Sequence, residues 1–108
     1  MATIFDLNIN EPIQLKLGGE PLGILRPYET DQPFVHCDFE PLPAFENVRD
    51  YFDAARAQFR AKDLPGWQEK QKEIELLGLR LVSWDGKIEV DKFLLHIQDN
   101  KAQFRDWA

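Results

Sequence analysis

The chain has 108 residues, 44% of them apolar and 30% charged, with a net charge of −6 and a single cysteine, Cys37. That composition suits one globular domain over residues 1–108 and excludes an intramolecular disulfide framework and the disordered and fibrous classes. The charge is uneven, with three bases against ten acids in residues 1–54 (net −7) and a net of +1 in residues 55–108; the chain therefore has no basic footprint for phosphate contacts, which disfavours nucleic acid as a partner.

Phe5, Leu7 and Ile9 alternate with Asp6 and Asn8, which predicts a first strand from Thr3 to Ile9. Ile13, Leu15 and Leu17 alternate with Gln14 and Lys16 in a second strand, and Gly18-Gly19-Glu20-Pro21 turns the chain into a third from Leu22 to Arg26. The polar run from Arg26 to Pro33, bounded by Pro27 and Pro33, is expected as an exposed loop. Phe34 to Glu40 resumes as a strand. Pro41 and Pro43 end it, because a residue before proline is pushed out of the helical region.

The strongest signal follows. Phe45, Val48, Phe52, Ala55 and Phe59 keep the spacing of one stripe on an α-helix from Phe45 to Lys62, and Tyr51 widens that stripe. The other face carries Glu46 near Arg49 and Asp53 near Arg56. Burying each phenylalanine is worth about 1.5–3 kcal/mol, so such a helix needs a sheet to lie on. After the break at Asp63-Leu64-Pro65-Gly66, Leu64, Trp67, Ile74 and Leu77 suit a helical face while Gln68 to Glu73 is polar. A short, mostly exposed helix from Trp67 to Leu77, ended by a left-handed Gly78, is expected, with a strand from Lys72 as the competing assignment.

Asp85-Gly86 marks a two-residue hairpin turn that pairs Ser83 with Ile88, Leu81 with Val90 and Arg80 with Asp91. A second hairpin tipped by Asp99-Asn100 sets Ile97 against Ala102 and Leu95 against Phe104, leaving His96 opposite Gln103 on the reverse face. Between them the apolar phase slips at Asp91-Lys92, which calls for a bulge or bend. The fold expected is α+β: a curved antiparallel sheet of about seven strands in the order β-β-β-β-α-α-β-β-β, packed on one long amphipathic helix, its last three strands forming a meander.

His36-Cys37-Asp38 is the one cluster that invites a catalytic reading, but a strand points Cys37 away from both neighbours, so Cys37 is expected in the core. His36, Asp38 and His96 could share the outer face, yet the short ligand spacings of zinc motifs are missing, and Gly18-Gly19 lacks the lysine and helix of a phosphate loop. No catalytic residue, metal ligand or cofactor is assigned. No stretch approaches the roughly 20 apolar residues of a membrane span, and MATIFDLNIN lacks the basic flank and apolar run of a secretory leader, so a cytoplasmic location is expected.

What remains is a surface for a protein partner. Tyr28 stands beside Glu29 and Asp31, and Trp84 and Trp107 fall on the reverse of the predicted meander, where aromatic side chains make good interface anchors. The leading expectation is a non-catalytic domain that engages a basic protein, as an inhibitor or immunity-type partner of a toxin would, through Tyr28, Glu29, Asp31, Asp38 and Trp84. One alternative is a small enzyme or ligand-binding protein whose pocket, between helix and sheet, is lined by Tyr51, Phe34 or Cys37 with a convergent polar group. Another is a homodimeric structural module paired through an exposed last strand.

Overall fold

The computed structural model describes residues 2–106; Trp107 lies outside them. Three strands, β1 (Ile13–Leu17), β2 (Glu20–Asp31) and β3 (Phe34–Pro41), precede two helices, α1 (Arg49–Arg60) and α2 (Leu64–Leu76). Four follow: β4 (Leu79–Ser83), β5 (Glu89–Val90), β6 (Phe93–Gln98) and β7 (Lys101–Asp106). All pair antiparallel in one sheet of order β5-β4-β1-β2-β3-β7-β6, so the fold is α+β.

That order corrects the expected C-terminal meander. β1, β2 and β3 stand between the two C-terminal hairpins, and β5 and β6 occupy opposite edges although Asp91 and Lys92 alone separate them. Three residue steps reach at most about 11 Å, whereas six strand spacings across a flat sheet come to about 29 Å. The sheet therefore has to curl, and it forms a half-barrel. The slip in apolar phase at Asp91-Lys92 marks this crossing between edges. β7 lies between β3 and β6, so the last strand is not the free edge that pairing of two copies was expected to use.

Other expectations change as well. Residues Ile4–Asp6 form a 3-10 turn instead of a strand: Thr3 accepts from the Phe5 amide and Asp6 reaches back to the Thr3 amide, which leaves Ile4 and Leu7 buried and Phe5 75% exposed. The Thr-x-x-Asp spacing was the local signal for it. The polar run after Arg26 continues β2 to Asp31. Pro27, which has no amide to donate, sits beside a bulge that leaves Tyr28 unpaired between Pro27↔Cys37 and Glu29↔His36.

The long helix is also shorter than its stripe. Pro43–Asn47 forms a 3-10 turn, and α1 starts at Arg49 with 12 residues, against 13 in α2, so two helices of similar length, not one, accompany the sheet. Phe45, Val48, Phe52 and Ala55 are buried, whereas Phe59 is 59% exposed. Phe45 packs edge-on against Phe39 of β3 at 5.0 Å and lies 5.9 Å from Phe52. α2 is helical throughout, capped by Asp63 accepting from the Gly66 amide and followed by Gly78 at φ 81°. Among the described residues no helix is long and apolar enough to cross a membrane.

The C-terminal registers match the sequence. Leu81 pairs with Val90, Leu95 with Phe104, Ile97 with Ala102 and His96 with Gln103, and Arg80 forms a 3.1 Å ion pair with Asp91. The first turn is wider than two residues: the Gly86 amide donates to the Ser83 carbonyl, and Asp85 accepts from both the Ser83 hydroxyl and the Lys87 amide.

Phe45→Ala should cost about 3–5 kcal/mol of unfolding free energy in a denaturant titration, and Phe59→Ala less than about 1 kcal/mol. Equal losses at the two positions would contradict this division of α1.

Candidate functional site

β6 is an edge strand, and α1 and α2 pack on each other with α1 also against β6. Where they meet, a cavity of about 520 Å3 opens, within the size range of ordinary small-molecule sites. β6 contributes Leu95 and Ile97 from its core face and His96 and Gln98 from the other, as an edge strand can. α1 contributes Phe52, Ala55, Arg56 and Phe59; α2 contributes Trp67 and Gln71, one turn apart.

Six rings form a continuous arc along this cavity. Tyr28 lies 6.5 Å from His36, His36 6.4 Å from Phe34, and Phe34 6.4 Å from His96. His96 then stacks on Trp67 at 5.9 Å with 15° between planes, and Trp67 meets Phe59 at 5.8 Å. Strand pairing explains the sheet portion. His36↔Gln103↔His96 places both histidines in one row, and the bulge brings the Tyr28 ring toward His36 and under the Lys101 ammonium, 4.7 Å from the ring centre.

The polar groups in the lining are mostly donors. Among the described residues no Asp or Glu lines the cavity. Lys101 is already engaged by Asp38. Arg56 has a looser partner: its Nη1 is 3.9 Å from Asp99 Oδ1, beyond hydrogen-bond reach, and not the Asp53 expected one turn before it. Gln71 is 8% exposed, and among the described residues its Nε2 has no hydrogen-bond partner. A buried donor left unmatched costs about 1–3 kcal/mol. Burial holds the His96 imidazole below the ordinary value of 6.5, which keeps it neutral at neutral pH.

The sequence-selected residues divide. Tyr28, Glu29, Asp31 and Asp38 gather on β2 and β3, where Glu29 is cross-strand from His36, Asp31 Oδ2 is 3.9 Å from His36 Nε2, and Asp38 is paired with Lys101. Trp84 is 51% exposed at the end of β4, two strands from β2. Of the residues expected to line a pocket, Phe34 does so; Tyr51 stays exposed outside it, and Cys37 is sealed in the core, its thiol pushed up to about 12 by burial and by the Asp38 charge. His36 and His96 are separated by Gln103, a gap of about 10 Å, and among the described residues no group of three His, Cys, Asp or Glu side chains is placed to hold a metal. Periodicity alone overlooked Gln71, though it stands four residues after Trp67 and three before Ile74, on the apolar stripe of α2.

Comparison with known protein families, with characterised proteins and with solved structures finds no match for this chain.

Gln71→Met keeps the side-chain volume and removes the unmatched donor, so it should raise unfolding free energy by about 1 kcal/mol in chemical denaturation; a loss of that size would mean the amide is satisfied. For His96 the folded state binds a proton less readily than the unfolded state, so stability falls as pH drops below 6.5. The difference in unfolding free energy between wild type and His96→Phe should therefore shift with pH between about 7.5 and 5.5, and a constant difference would refute the assignment.

Proposed function

We propose that this chain binds a small, flat, largely apolar molecule in the cavity between its two helices and the β6 edge. The supporting observation is the six-ring arc along a cavity of about 520 Å3 whose lining also includes Gln71, a mostly buried amide whose Nε2 has no hydrogen-bond partner among the described residues. Flat aromatic surfaces favour offset-stacked and edge-on contacts with other rings, which gives a planar guest more than area burial alone. A few polar groups in an otherwise apolar wall are what fix a guest's orientation.

The alternative of a basic protein partner draws less support from the geometry. Several carboxylates of the acidic half are taken up within the chain, Asp38 by Lys101, Glu40 by Arg26 at 2.9 Å and Glu46 by Arg49 at 2.7 Å. Such pairs offer a reduced net field to a partner.

Ala55 is buried and lines the cavity from α1, so a larger side chain there occupies guest space. The neutral fluorophore N-phenyl-1-naphthylamine should brighten on binding wild type at one site, and Ala55→Leu should abolish this with its unfolding midpoint unchanged or raised. Undiminished brightening in the folded variant would place the dye elsewhere and refute the proposal.

A further inference from the structure

The lining says more than that a flat molecule fits. Its two underused donors belong to different ends of the cavity. Arg56 approaches Asp99, in the turn after Gln98, so it marks the end of β6 nearest β7. Gln71 also borders the crevice lined by Phe93 and Leu95, so it marks the opposite end. Leu95 and Asp99 are four residues apart along extended chain, about 13 Å. His96 and Trp67, stacked on each other, line the same cavity.

Arg56 is the cation with the most capacity to spare. A guanidinium presents five N–H donors in a planar fork suited to a carboxylate, and the Asp99 contact at 3.9 Å satisfies none of them as a hydrogen bond. Asp99 is largely exposed and screened by solvent, whereas a guest acid would meet Arg56 beside an apolar wall that holds no competing carboxylate. Lys101 is a poorer candidate because Asp38 already engages its ammonium. At the other end, Gln71 offers a neutral amide donor that calls for an acceptor oxygen, and the crevice beyond it holds the carboxylates Glu75 and Asp91 against the cation Lys92, which disfavours a second acid there.

We infer that the guest is an elongated aromatic carboxylate, its acid held by Arg56, its ring along the His96–Trp67 segment of the arc, and a hydroxyl or carbonyl oxygen at its far end accepting from Gln71. This deepens the binding proposal above and rests on it. Charge-assisted hydrogen bonds are the stronger of the two kinds, so the acid supplies most of the selectivity and the distal oxygen a smaller share.

Isothermal titration with three probes of one shape, 6-hydroxy-2-naphthoate, 2-naphthoate and 2-naphthamide, tests the inference. Wild type should prefer 2-naphthoate over the neutral amide by about ten- to a hundredfold, and the added hydroxyl should improve affinity by a further factor of about three to ten. Arg56→Gln, at a partly exposed position, should erase the preference for the acid by weakening binding of 2-naphthoate about ten- to a hundredfold, while Arg56→Lys retains part of the preference. Gln71→Met should erase the hydroxyl's advantage alone. Equal affinity of wild type for acid and amide, or a preference that survives Arg56→Gln, overturns the carboxylate assignment while leaving the cavity as a binding site. Failure of all three probes to bind, together with failure of the neutral fluorophore, overturns both.

Discussion

Val90 and Phe93 end and begin strands at opposite edges of a seven-stranded sheet with two residues between them, and most of the molecule's shape follows from that short span. A chain segment this short cannot cross a flat sheet, so the edges are drawn together and the sheet becomes a trough. The Arg80–Asp91 ion pair ties the start of the crossing to β4. Because β5 has only two residues, the Leu79 end of β4 has no neighbour beyond it, and α2 covers the gap with Gln71, Ile74 and Glu75 facing Leu79 on one side and Phe93 and Leu95 on the other. The helices are thus the closure of an incomplete barrel, and whatever they fail to fill becomes a cavity.

α1 is divided by that arrangement. Its N-terminal half is rooted in the trough through the Phe39–Phe45–Phe52 contacts, which fixes the helix in rotation and direction. In its C-terminal half Phe59 is largely exposed and meets the ring of Trp67 on α2. An aromatic that remains largely in water at the end of an apolar stripe forgoes the stabilisation its neighbours gain. Here that residue forms the last ring of the arc, so the unfinished packing of α1 and the existence of the site are one fact. The glycine at position 23 serves the rooted half. A side chain there would overlap the Phe39 ring, whose place against Phe45 anchors the helix.

Net charge is a poor guide to the character of this site. The chain is acidic overall, yet among the described residues the cavity wall holds an arginine, a lysine and two histidines and no Asp or Glu. Glu40, Glu46 and Asp99 instead sit in exposed ion pairs, where solvent screens them. Burial acts in the opposite sense on the groups that remain. It keeps His96 neutral and encloses Gln71, whose Nε2 has no hydrogen-bond partner among the described residues, so the few polar groups that line the cavity each carry more weight than a surface group.

Much of the architecture was legible without coordinates. The alternation in β1 and β3, both C-terminal registers with the Arg80–Asp91 pair, the stripe from Phe45 to Ala55 and the left-handed Gly78 all come from periodicity and turn chemistry within about ten residues of chain, a range over which local geometry dictates which side chains share a face. The first strand was misread because alternation of Phe5, Leu7 and Ile9 outweighed the Thr3–Asp6 capping pair. What tertiary structure alone decided was which strands are neighbours, and through that which residues are edges: the insertion of β1 to β3 between the hairpins, the Tyr28 bulge, the bare flank of β6 and the exposure of Phe59. An apolar stripe states which face seeks cover, and the amount of cover available depends on contacts between residues distant in the chain, so the scaffold could be read from the sequence while the cavity had to be seen.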